Sequence, residues 1–378
     1  MWSWHTSASG CGFTKSIRVG LFLSVAAATA STASADQLPG MPALIDPHDV
    51  YAANRPGKLS PAVAGFPERI YVPISGRNRV DVIDPHTFKV VDQFEVGRQP
   101  QHVTPSYDLK TLWVLNDLGD SVTRIDPATG HKLDTINVKD PYNMYYTPDG
   151  KYAIVVAERT RRLDFRDAKT LKLVDSVPVP CRGVDHAAFS ADGRYLIASC
   201  EFSGQLVKLD VTTRALLGTL SLPAHHSMPQ DVRLTPDGSI FYVADMEANG
   251  VFEIDGDSFK SIGFIPTGAG AHGLAFSRDS RWMYVSNRRE GSVSTIDVRT
   301  RQVTAKWMIP GGGSPDMGGV SPDGKVLWLS GRYNAEVYAF DTSDGHLLAR
   351  IPVGKGPHGL CVFPQPGRYS LGHTGNMR

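Results

Sequence analysis

The chain has 378 residues, 41% of them hydrophobic and 20% charged, and a formal net charge of +1. That is ordinary globular composition, with enough chain to bury a large core. So even a balance argues against a nucleic-acid partner, which a basic patch or stripe would signal.

The N-terminus reads as a secretory signal, residues 1–35. Lys15 and Arg18 form a basic region, residues 19–30 an apolar run, and Ala33-Ser34-Ala35 a small-x-small cleavage site. The apolar run is short for a bilayer span, and no other segment is long enough. The mature chain is therefore expected to be secreted or periplasmic, without a membrane span after signal cleavage. A retained anchor is the lesser reading. Residues 36–68 carry six prolines and little periodicity, a Pro-rich lead-in.

Residues 69–363 are a repeat array. A turn aspartate recurs at Asp108, Asp149, Asp192, Asp237, Asp279 and Asp323, in steps of 41, 43, 45, 42 and 44 residues. A strand-end aspartate recurs at Asp84, Asp126, Asp167, Asp210, Asp255, Asp297 and Asp341, and its steps drift in parallel. A period of this length carrying short strands signals propeller blades, each an antiparallel sheet of four strands. In the unit 272–312, strands are expected at 272–276, 282–286, 292–297 and 302–309, with a turn at 277–281. Seven strand-end aspartates predict an all-β, seven-bladed β-propeller. The first unit begins at residue 69 with no inner strand before it. The last ends after residues 359–362, an inner strand with no outer ones. One blade should therefore be completed from both termini, which removes free sheet edges.

The link 220–232 is irregular and lies in the longest unit. Its His225, His226 and Met228 suit copper by chemistry; a solvated loop is the plain alternative. Cys11 would leave with the signal, so Cys181, Cys200 and Cys361 remain. Cys181 precedes an inner strand and Cys200 ends the next strand of that blade. The pair is a disulfide candidate or two buried thiols, and with His186 it could instead form a thiolate–imidazole site. Residues 364–378 are a C-terminal tail without blade pattern, with Tyr369 and Leu371 as possible anchors.

Several stretches carry a family likeness. Tyr284-Val285-Ser286-Asn287 is one residue from Tyr-Val-Thr-Asn, and 241–245 is a looser copy after the turn 235–238. Residues 80–84 and 94–100 fit the downstream strands, and 351–357 repeat that strand end and link. Over residues 69–363 the chain resembles the YVTN-type β-propeller repeat proteins, a secreted and often seven-bladed family. Residues 163–167 are more charged than their sisters. The resemblance implies relatives among lactone-hydrolysing propellers, the haem-binding propeller of nitrite reductases with its cofactor-maturation cousins, and binding proteins. Shared fold does not select among them.

Inner strands surround a central channel, and their first residues face its mouth. Seven residues before each turn aspartate stand Gln101, Tyr142, Asp185, Gln230, His272 and Asp316, with His358 at the matching place in the last strand. Six before stand His102, Asn143, His186, Asp231, Gly273 and Met317, with Gly359. Hence His102, Asp185, His186, Asp231, His272, Asp316 and His358 are candidates for a ligand or divalent metal; the alternative is polar lining of a wet channel. The next strand ends should open on the same face, including Glu158, Arg159, Glu201, Arg288, Arg289 and Arg332. Arg288 and Arg332 are the anion-binding candidates.

No haem-attachment CxxCH, no GxxxxGK[ST], no HExxH and no GxSxG occurs. The favoured reading is a monomeric propeller that binds a small molecule or protein at its channel face. One alternative is a metal-assisted, lactonase-like hydrolase using Asp185, Asp231, Asp316 and the ring histidines. The other is a redox or cofactor-handling protein whose imidazoles approach a haem-like ligand.

Overall fold

Each repeat builds its own turn from two short side chains. In the computed structural model, Ser321 Oγ donates to Asp323 Oδ1 (2.6 Å) and accepts from Val326 N (3.0 Å), while Asp323 Oδ1 also accepts from Lys325 N (3.1 Å). Gly324 completes the turn at φ +83°, a backbone that glycine adopts without Cβ strain. The same Ser/Thr-to-Asp bond stands at residues 106, 147, 190, 235 and 277. Strand-end aspartates accept amides of the following turn, as Asp84 does from His86 N and Asp297 from Thr300 N. The two sequence markers are thus turn devices, the Ser/Thr-x-Asp turn in blades 2 to 7 and the strand-end aspartate in all seven.

The structure describes residues 37–378, and the expected signal, residues 1–35, lies outside them. The described residues form seven four-stranded antiparallel sheets and no α-helix. Blade 1 holds Cys361–Phe363, Arg69–Ile74, Arg79–Asp84 and Lys89–Glu95. Pairing of Ile70 with Val362 and Tyr71 with Cys361 closes the ring. The inner strands of blades 2 to 7 are Pro100–Pro105, Asn143–Tyr146, Val184–Phe189, Pro229–Leu234, Ala271–Phe276 and Pro315–Val320.

Burial follows position in the blade. Pro100–Pro105 and Val184–Phe189 are buried throughout, whereas the outer strands Lys89–Glu95 and Gln302–Met308 are mostly exposed. Apolar side chains fill the seams between blades. Trp328, wholly buried, packs with Ile70, Val72, Ile83, Val337 and Val362 across the closing seam. The unusually charged strand Arg162–Asp167 is compatible with this scheme because buried Asp164 is paired with Arg162 at 2.9 Å and Arg166 at 3.3 Å.

The Ser-x-Asp turns mark the lower face, and the inner strands start at the upper one. The lead-in runs across the lower face: Leu38 N donates to Asp192 O, Val50 N to Pro236 O, and Arg55 Nη1 to Arg278 O. The tail lies there too. Tyr146 N donates to Leu371 O, Ser370 Oγ to Pro105 O, and buried Arg378 Nη2 to Phe189 O. Tyr369 and Leu371 join the apolar core of blades 3 and 4.

Candidate functional site

A strand alternates its side chains, so two successive channel-facing residues need an irregularity. Bulges supply it. Asp185-His186, Gln230-Asp231, His272-Gly273 and Asp316-Met317 each sit where the inner strand carries one extra residue against its neighbour. A serine opposite three of these bulges satisfies the displaced backbone: His186 N and Gly273 N donate to Ser199 Oγ and Ser286 Oγ, and Ser330 Oγ donates to Met317 O. Two rows of side chains therefore enter the channel.

The upper row is organised around Asp316. His358 Nδ1 donates to Asp316 Oδ2 at 2.7 Å, and Arg288 Nη2 donates to Asp316 Oδ1 at 2.6 Å. His272 Nδ1 lies 2.8 Å from Oδ1, off the line of a hydrogen bond, and its Nε2 accepts from Arg288. Tyr142 Oη meets His358 Nε2 at 3.3 Å. Burial works to raise the Asp316 pKa, but Arg288 and then the two imidazoles hold it well below the usual carboxylate range. Burial, helped by Arg288, lowers His272 to about 3; burial, despite Asp316, lowers His358 to about 4. The cluster is one carboxylate, one guanidinium and two neutral imidazoles.

The lower row brings His102 and His186 together, and a third imidazole joins them from the tail. His373, wholly buried, has its ring centre 5.1 Å from that of His102 and 5.0 Å from that of His186. Asn143 Nδ2 lies 3.0 Å from Nδ1 of both His186 and His373. Asp231 bonds Val232 N and Leu274 N and stands 3.8 Å from His373 Nε2. Asp185 Oδ1 accepts from Ser199 Oγ at 2.6 Å; burial and then Glu201 push its pKa well up.

Above both rows lies the mouth. Arg332 is half-buried there, contacting Ser75 Oγ and Gln101 Oε1 at 3.3 and 3.4 Å, with no carboxylate in ion-pair reach among the described residues. Arg159 and Arg289 are committed elsewhere, to Asp117, Asp120 and Asp140 and to Glu247. Glu158 is raised to about 8 by burial and by Glu201, which is itself raised by burial. Tyr333, 71% exposed, lies beside Arg288, whose Cζ is 5.7 Å from the ring centre.

The expected residues thus fall into two groups: His272, Asp316, His358 and Arg288 in one cluster with Arg332 near it, and His102 with His186 below, flanked by Asp185 and Asp231. Cys181 and Cys200 are joined by a disulfide, so no thiolate pair stands beside His186; Cys361 is free and buried. His225 and His226 are exposed in their loop and belong to no three-residue metal-capable group among the described residues. Sequence reasoning missed His373, which lies outside the repeat. Its one sequence signal is the pair of glycines, Gly372 and Gly375, that brackets it.

Known proteins resemble the chain as follows. The sequence pattern of the YNCE-like beta-propeller family matches residues 52–368. The uncharacterized protein YncE of Salmonella typhimurium is 21% identical over 279 residues, 66% of this chain and 73% of that one. Protein NirF of Pseudomonas aeruginosa is 34% identical over 84 residues, 22% of this chain and 21% of that one. The solved structure of dihydro-heme d1 dehydrogenase NirN in complex with DHE superposes with a TM-score of 0.60 at 17% identity, covering 85% of this chain and 82% of that one. At that identity the likeness is one of fold.

Proposed function

The chain belongs to the YNCE-like beta-propeller family, and from its channel mouth we propose that it binds a small anionic, planar ligand of the tetrapyrrole class. The observation that carries this reading is Arg332, a half-buried guanidinium at the mouth without an acidic partner among the described residues. A guanidinium in that position suits a ligand carboxylate through two parallel bonds. Exposed Tyr333 offers a face for a flat ring. His358 of the upper row lies below, its Nε2 3.3 Å from Tyr142 Oη, where a ligand's central metal could meet an imidazole. The dehydrogenase NirN, of similar fold and solved in complex with DHE, supports the ligand class.

The Cys181–Cys200 disulfide supports a periplasmic or secreted setting, since such bonds persist in oxidising compartments. No helix among the described residues is long and apolar enough to cross a membrane. Titration with iron coproporphyrin, a polycarboxylate, should give saturable visible-band shifts in the wild type. Arg332→Gln should weaken binding about tenfold, the loss of one charge-assisted contact of about 1.5 kcal/mol. Equal affinity in the variant, or no saturable binding by the wild type, overturns the reading.

A further inference from the structure

We propose that His102, His186 and His373 bind one divalent ion of the zinc class inside the channel, with the C-terminal segment supplying the third imidazole. Three observations converge on this. One ligand nitrogen from each residue lies within 4.8 Å of the other two, and all three side chains are buried. Both ring nitrogens of His102, Nε2 of His186 and Nε2 of His373 have no hydrogen-bond partner. Buried polar atoms are rarely left so, and four in one spot call for an occupant.

The third observation is that the backbone is shaped for the cluster. A Cβ on Gly359 would stand 1.9 Å from His102 Nδ1, so only glycine lets that imidazole seat. Gly372, at φ +95°, passes so close to blade 3 that a Cβ would meet Met144 O at 2.3 Å. That approach lets His373 N donate to Met144 O at 2.8 Å and delivers the side chain into the channel. The tail is thereby fitted to the site as well as to the lower face.

The chemistry suits zinc. Three histidines and one exchangeable position make a familiar tetrahedral set, with Zn–N of about 2.0–2.1 Å. Nitrogens in that geometry stand about 3.4 Å apart, so the rings must close inward by up to about 1.4 Å. Asn143 Oδ1 accepts from Met144 N while its Nδ2 lies 3.0 Å from Nδ1 of His186 and His373, so an ion held by both Nε2 atoms requires the Asn143 side chain to move and the Nδ1 atoms to carry the protons. Asp231, 3.8 Å from His373 Nε2 and paired with Arg233 at 3.4 Å, and Asp185, 4.0 Å from His186 Nε2, border the same space.

The inference stands apart from the mouth ligand and is tested without it. Untagged mature protein is stripped with chelator, then titrated with Zn2+ against a chromophoric competitor, with Co2+ as a spectroscopic stand-in. One ion per chain is expected, with a four-coordinate Co2+ spectrum and imidazole scattering in X-ray absorption. His373→Gln and His102→Gln should each weaken binding at least about 100-fold, more than a supporting residue would cost, and abolish the Zn2+-dependent rise in Tm. If a variant does not fold, X-ray absorption of the Zn2+-loaded wild type decides alone. Sub-stoichiometric binding, no imidazole scattering, or a folded His373→Gln with wild-type affinity overturns the proposal and leaves water as the occupant.

Discussion

The two ends of the channel are made by different means. The upper mouth is assembled from equivalent positions in seven repeats, and its chemistry comes from what each repeat places there: histidine in one blade, aspartate in the next. The lower end is covered by the lead-in and the tail, each used once. Repetition gives the scaffold its rigidity and its regular slots. The unrepeated segments add what symmetry cannot, a closed floor and an imidazole with no counterpart in any blade.

Four substitutions probe that division. Asp316→Asn strikes the repeat-built end hardest, because it leaves the Arg288 guanidinium buried without its counter-charge. Chemical denaturation should register a loss of about 3–5 kcal/mol, and a loss under 1 would mean that Arg288 relaxes into solvent. Gly372→Val strikes the floor. It forces a β-branched side chain into a positive-φ site against the blade 3 backbone, at about 3 kcal/mol. Limited proteolysis should then clip the tail while coproporphyrin still binds, so loss of both would join the two ends into one unit.

Ser199→Ala tests the bulge that feeds both rows. Its Oγ lies 2.6 Å from both Asp185 Oδ1 and Gln230 O, so its one proton serves either acceptor in turn. Truncation should cost about 1–3 kcal/mol, measured by denaturant midpoint. The smallest effect is expected from Glu158→Gln at the rim. The folded-state pKa of Glu158, about 8, lies above its unfolded value. Its contribution is therefore full below the unfolded pKa and is lost as pH rises through about 8. The variant should flatten the fall in Tm between pH 5 and 8 by about 2–3 °C; an unchanged profile would remove Glu158 from the rim's electrostatics.

Much of this architecture was legible beforehand because turn chemistry is local. Asp108 and Asp323 each bond within two residues of themselves, so their spacing reports blade length directly. Counting back seven and six residues located both channel rows, since every inner strand runs a fixed distance to its turn. The bulges that let both rows face inward leave only a faint trace, the serines at 199, 286 and 330. Partnerships across links and neighbouring blades were not legible: Arg159 is taken up by Asp140 and Arg289 by Glu247, residues that meet only once consecutive blades pack. His373 was out of reach for the same reason. Nothing in a repeat predicts where an unrepeated segment turns back.

The strand that closes blade 1 and the histidine that enters the channel are separated by ten residues, Phe363 to His373. Both therefore emerge from the ribosome almost together, after all the other strands. A nascent chain stalled before residue 361 has an unlatched first blade and two of the three imidazoles. Sealing of the toroid and completion of its buried nitrogen trio thus fall in close succession late in biogenesis, and a translation product that ends before residue 361 forfeits both at once.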